Sequence, residues 1–165
     1  MGVISTAARA RGLSPAIVAG VVAQESGGIY ARPDGSANPF AIRPEPAFWA
    51  HYGDVVRAFA AKTTNLFDDR WVRFPDLAGA SYGLMQVLYD VALELGYVLR
   101  FPTELCDPEV GVGAGCEHLS NLYRRTGGDI RAALLRYNGG GDPSYPDKVL
   151  THVSTIRDAK VFPDE

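Results

Sequence analysis

The chain has 165 residues, 47% of them hydrophobic and 21% charged, with a formal net charge of −3. That length suits one domain with its own core, and the apolar content is too high and the charge too small for a disordered chain. No charge-free stretch is long enough to cross a bilayer (Gly12–Gln24 is as long as any), and 16 basic against 19 acidic residues give no general drive toward nucleic acid.

Met1–Arg11 lacks the layout of a secretion signal, because its basic residues follow the apolar part. The expectation is a chain that is cytoplasmic at synthesis or a piece of something longer. Ser14-Pro15 marks a helix start: a capping hydroxyl, then a proline where the missing N–H costs nothing. Ile17, Val18, Val21 and Val22 give that helix an apolar stripe, and Gly27-Gly28 ends it. The stretch from Arg32 to Asp76 is rich in Pro, Gly, Asp and aromatics. It reads as loop with short helices at Phe48–Tyr52 and Asp54–Ala61.

Helical pattern then returns. Leu84, Leu88, Val91 and Leu95 fall on one face of a predicted helix ended by Gly96, with Asp90 as a candidate cap. A further helix starts near Asp107 and runs through Leu119, Leu122 and Tyr123 to Gly127-Gly128. Asp129 caps the next, whose stripe is Ile130, Ala133, Leu134 and Tyr137, and Pro146 opens a last helix with Val149, Val153 and Ile156. No alternating run of strand length stands out, so the fold class is mainly α with a long irregular insertion. Cys106 and Cys116 fit either a disulfide or two buried thiols. With His118 they match no common zinc spacing, so neither a metal site nor any other cofactor is expected.

Two side chains stand out on physical grounds. Glu25 extends the apolar stripe of its helix and sits in the last turn, where the helix dipole disfavours an anion. Both effects favour the protonated acid, the form a general acid for glycosidic cleavage needs at neutral pH. The plainer alternative is a frayed end with Glu25 in solvent. Tyr137 likewise extends a stripe to a helix end, as an active-site hydroxyl or as a simple core tyrosine.

Four sequence elements resemble, in order, those of the soluble lytic transglycosylase family, whose members share a goose-lysozyme-like α fold. They are Glu25-Ser26, Gly83-Leu84-Met85-Gln86, Tyr137-Asn138-Gly139-Gly140 and Tyr145. The resemblance covers about 12–32 and 79–155, and implies a single lysozyme-like catalytic domain over 1–165 with an insertion at about 33–78. It departs from the usual pattern in the 58 positions between Glu25 and Gly83, in Val87-Leu88-Tyr89-Asp90 where a proline is common, and in Pro146 after Tyr145. Arg43-Pro44-Glu45-Pro46, within the insertion, is similar to a pattern of phage cell-wall-degrading muramidases.

The resemblance implies cleavage of the β-1,4 bond between N-acetylmuramic acid and N-acetylglucosamine in peptidoglycan. Glu25 is implied as sole acid and base, with 1,6-anhydromuramic ends as product, and Tyr137 orients it. Ser26, Gln86 and Asn138 offer hydrogen bonds to sugar; Gly83, Leu84, Met85 and Tyr145 complete the implied substrate site, Met85 as an apolar floor. Ten of the 17 aromatics lie between Tyr30 and Tyr82, so Trp49, Tyr52, Trp71 or Phe74 can extend a glycan cleft or form a small satellite core. Glu45 is the first candidate, among the insertion's acids, for a second carboxylate. With it the chain would be a hydrolytic muramidase; a non-catalytic glycan-binding module is the other alternative. The expected partner is the peptidoglycan glycan strand, met outside the cytoplasm by a monomer that is phage-associated or part of a longer protein. Arg124, Arg125 and Arg131 offer a basic patch toward an anionic wall.

Overall fold

The computed structural model describes residues 2–27, 31–48, 50–54 and 79–162. Its architecture is mainly helical with one small sheet. Helix α1 spans Gly2–Ala10 and α2 spans Pro15–Ser26. The sheet holds β1 (Ile42–Pro44), β2 (Ala80–Tyr82) and β3 (Val87–Leu88). Then follow α3 (Tyr89–Glu94), a 3₁₀ turn (Pro102–Cys106), α4 (Pro108–Arg125), α5 (Ile130–Tyr137) and α6 (Tyr145–Asp158).

Caps fall where short-range chemistry demands them. The Ser14 hydroxyl accepts from the Ile17 amide at 3.3 Å. Asp107 accepts from Glu109 and Val110 at 2.9 and 3.2 Å, and Asp129 from Arg131 and Ala132 at 2.9 and 3.1 Å. Each satisfies amides that a first helical turn leaves unpaired. The last helix opens at Tyr145, one residue before its proline.

Helix α2 is buried on almost every side, well beyond the stripe its sequence suggests. It packs most extensively on α6, where Gly20 lies against Val149 and Val153. Helix α1, which carries no strong sequence signal, packs on α4; Arg11, just past it, pairs with Glu117 at 3.1 Å. Cys106 and Cys116 are buried free thiols, which settles that choice.

The predicted helix through Leu84, Leu88 and Leu95 is a correction. Residues 83–86 form a turn, Val87–Leu88 is a strand, and the helix holds only Tyr89–Glu94. The reason is local: Gly83 and Gln86 have φ of 74° and 48°, left-handed values that no α-helix accommodates. Gly83 is also jammed against the 3₁₀ turn, where a Cβ would stand 2.2 Å from the Leu105 carbonyl oxygen. Asp90 does not cap α3 either; Leu88 holds that place without a side-chain bond.

The sheet is antiparallel in the order β1-β2-β3, pairing Ile42 with Tyr82, Pro44 with Ala80, and Tyr82 with Val87. Its strands of two or three residues are too short to leave an alternating pattern in sequence. The insertion thus contributes β1 and a helical segment over 46–48 and 50–54. The helix expected at Asp54–Ala61 lies outside the described residues from 55 onward, as do Trp49, Trp71, Phe74 and the acids Asp68, Asp69 and Asp76.

Candidate active site

Glu25 lies in the last turn of α2 with only 5% of its surface exposed, which rules out the frayed, solvated end. The Tyr145 hydroxyl, from the first residue of α6, donates to its Oε1 at 2.6 Å. Arg43 Nη1, from β1, donates to its Oε2 at 3.4 Å. Burial raises the Glu25 pKa above the ordinary carboxylate value, while Tyr145 and Arg43 pull the other way. A protonated acid is therefore favoured, and the anion left when it donates has two donors already in place.

Arg43 joins two carboxylates. Its Nε meets Glu45 Oε1 at 2.7 Å, and that oxygen lies 3.1 Å from the Ser81 hydroxyl on β2. Ser81 is also 2.9 Å from Gln86 Oε1. The Gln86 amide nitrogen donates to the carbonyls of Ala41 and Gly83 at 2.9 and 2.8 Å. The left-handed turn at Gln86 is thereby tied to the residue before β1 and to the residue after β2.

A cleft of about 450 Å³ opens over these groups. Glu25, Arg43, Glu45, Ser81 and Gln86 line it, together with His118, Arg136, Tyr137, Asn138 and Gly139. Phe48 and Tyr52, with ring centroids 5.2 Å apart, also line it, and Tyr52 is 47% exposed. Such a ring can stack on the apolar face of a sugar. His118 packs on Tyr137 at 5.3 Å, and burial lowers its pKa, which favours the neutral ring.

The two tyrosines are placed otherwise than expected. Tyr145, expected on substrate, is buried and bonded to Glu25. Tyr137, expected on Glu25, donates instead to the Met85 carbonyl at 2.8 Å and faces the cleft. Met85 is fully buried, its side chain filling the space beside Gly115, so it is no sugar floor. Ser26 is fully buried too, and its hydroxyl donates to the Val22 carbonyl of its own helix at 2.9 Å. Leu84 packs against the core and Gly83 against the 3₁₀ turn, so both shape the site without lining it. Gln86 and Asn138 do reach the cleft, as does Glu45.

Arg43, Ser81 and His118 line the site without having been singled out for it by sequence. Arg43 had a signal, its place in Arg43-Pro44-Glu45-Pro46, but no role; the other two had none. Among the described residues no cluster of His, Cys, Asp and Glu could hold a metal ion.

A mainly helical fold and a buried acid at an open, aromatic-edged cleft define a lysozyme-like glycan-cleaving domain. A family model for the transglycosylase SLT domain matches residues 2–146, and the chain belongs to that family. It is thus an enzyme that cleaves glycosidic bonds of peptidoglycan, the family's cell-wall substrate. Neither the curated proteins nor the solved structures offer a match. Among the described residues no helix is long and apolar enough to cross a membrane.

Proposed function

We propose that the chain is a lytic transglycosylase with Glu25 as its sole acid and base. It cuts the β-1,4 bond between N-acetylmuramic acid and N-acetylglucosamine and leaves 1,6-anhydromuramic ends. The observation that carries this reading is the placement of Glu25. It is a buried carboxyl with two donors on it, at a cleft whose other acid, Glu45, is engaged by Arg43.

In the first step Glu25 gives its proton to the bridging oxygen as the muramic C1–O bond breaks. The substrate's acetamido oxygen supports the electron-poor C1. Tyr145 and Arg43 stabilise the carboxylate that results. In the second step the muramic 6-hydroxyl oxygen bonds to C1 and its proton returns to Glu25, so no water is consumed. Tyr52 and Phe48 stack on sugar, and Asn138 hydrogen-bonds to it. The chain acts as one catalytic domain over 1–165, with the 33–78 insertion contributing Arg43, Glu45, Phe48 and Tyr52 to the cleft wall.

Mass spectrometry of products from purified peptidoglycan tests the reading, with wild type beside Glu25→Gln. Muramic ends lighter by one water, formed by wild type alone, are expected. Reducing muramic ends would overturn it in favour of a hydrolytic muramidase with Glu45 as the base. Binding without cleavage by either protein would leave a glycan-binding module.

A further inference from the structure

We infer that Arg43 and Glu45 form a positioning pair, in which Glu45 anchors the guanidinium so that one of its nitrogens stays on the outer oxygen of Glu25 through both halves of the reaction. The inference rests on Glu25 being the acid and base. It assigns to Glu45 a role other than that of a second catalytic carboxylate.

The anchoring is unusually complete for side chains at a cleft. The Glu45 amide donates to the Gly79 carbonyl at 2.8 Å, which ties its backbone to the residue just before β2. Its Oε1 is 2.7 Å from Arg43 Nε and 3.1 Å from the Ser81 hydroxyl, whose own place is fixed by Gln86. Arg43 is 37% exposed at its side chain, and a long exposed side chain has many rotamers to lose. Held at Nε by Glu45, it places Nη1 3.4 Å from Glu25 Oε2.

The chemistry gives this arrangement a purpose. Glu25 must be neutral before the bond breaks and anionic just after. A cation 3.4 Å away does little to the neutral acid and favours the anion. Glu45 tempers that cation, so the acid is not driven to ionise early. Tyr145 of α6 also bonds to Glu25, and Tyr137 and Arg136 of α5 and His118 of α4 line the same cleft. Arg43 is the one cation that bonds to Glu25 among the described residues, and Glu45 is its acidic neighbour.

The test is the pH profile of kcat/KM on soluble glycan strands, with product masses read at each pH, for wild type, Arg43→Met, Arg43→Lys and Glu45→Gln. Without the cation, Arg43→Met should hold its proton longer, moving the alkaline limb up by about one unit. Glu45→Gln keeps an oxygen for Arg43 Nε but removes an anion, so the limb should move down. Arg43→Lys should fall between Arg43→Met and wild type, and all four should give the same products. Thermal unfolding of each variant checks that it folds. Rates that fall with both limbs unmoved would reduce the pair to a structural prop and overturn the inference. Abolished cleavage in a folded Glu45→Gln, with reducing muramic ends from wild type, would make Glu45 a base and overturn it as well. Cleavage surviving in Glu25→Gln would instead sink the reading of Glu25 itself.

Discussion

Replacing Gly20 by alanine tests whether the crossing of α2 and α6 sets the catalytic geometry. A methyl group there would stand 2.7 Å from Val153 Cγ2 and 3.0 Å from the Val149 carbonyl oxygen. Ordinary contact lies near 3.5–4.0 Å, so the helices must part by roughly 0.5–1 Å. A new rotamer at Val153 cannot relieve the second clash, because its atom is backbone. Overpacking of this kind costs about 1–3 kcal/mol, and the better helix propensity of alanine returns about 0.5–1 kcal/mol. The net loss centres on about 1 kcal/mol, or roughly 2–4 °C in Tm for a chain of this size. The 2.6 Å bond from Tyr145 to Glu25 spans the same two helices and has little slack. Activity should therefore fall along with stability. Calorimetry and the rate of muropeptide release measure both. Adding Val153→Ala should restore part of the loss and no more, since the Val149 carbonyl stays. A Gly20→Ala protein with unchanged Tm and full rate would refute the reasoning.

Tyr145→Phe removes a buried hydrogen bond to a group that becomes charged, worth about 1.5–3 kcal/mol, so kcat should drop about ten- to a hundredfold. KM should hold, because Tyr145 does not reach the cleft; a rise in KM with kcat intact would contradict this placement. Glu25→Gln should gain stability on wild type as pH rises. The folded carboxyl titrates above 4.5, so its contribution is complete below that value and is lost as pH climbs through the folded pKa; parallel Tm curves for the two proteins would refute it. Asp90, pushed by burial from 3.8 to about 6, follows the same sign. Asp90→Asn should leave stability unchanged below pH 4 and raise it by roughly 1–3 kcal/mol above pH 6, read by urea unfolding at the two pH values.

What was legible in sequence was whatever neighbours decide. Ser14, Asp107 and Asp129 each bond to amides two or three positions on, so their helix starts could be read directly. Glu25 was visible because its place on an apolar stripe is a property of one helix. The turn at Gly83–Gln86 was misread because its apolar residues keep helical spacing while two left-handed residues forbid the helix. Nothing local indicated which tyrosine would arrive at Glu25. That is decided by the packing of α6 on α2, and the bond joins residues 120 positions apart. Separation in sequence also hid Ser81 and His118, neither of which is near Glu25 along the chain. Arg43 and Glu45 were seen as a motif, but their work depends on a sheet whose strands are too short to announce themselves.

The family match ends at residue 146, one position after Tyr145, yet α6 runs on to Asp158. A fragment trimmed to the matched span would keep the Tyr145 hydroxyl and lose Val149 and Val153, the residues that seat its helix on Gly20. Competence to cut thus belongs to the closed molecule and to neither end of it. The bond between the acid and its tyrosine joins residues 120 positions apart, so it closes a far longer loop than any contact within one helix. A chain cut between α2 and α6 whose pieces separate keeps every one of these motifs and loses that bond.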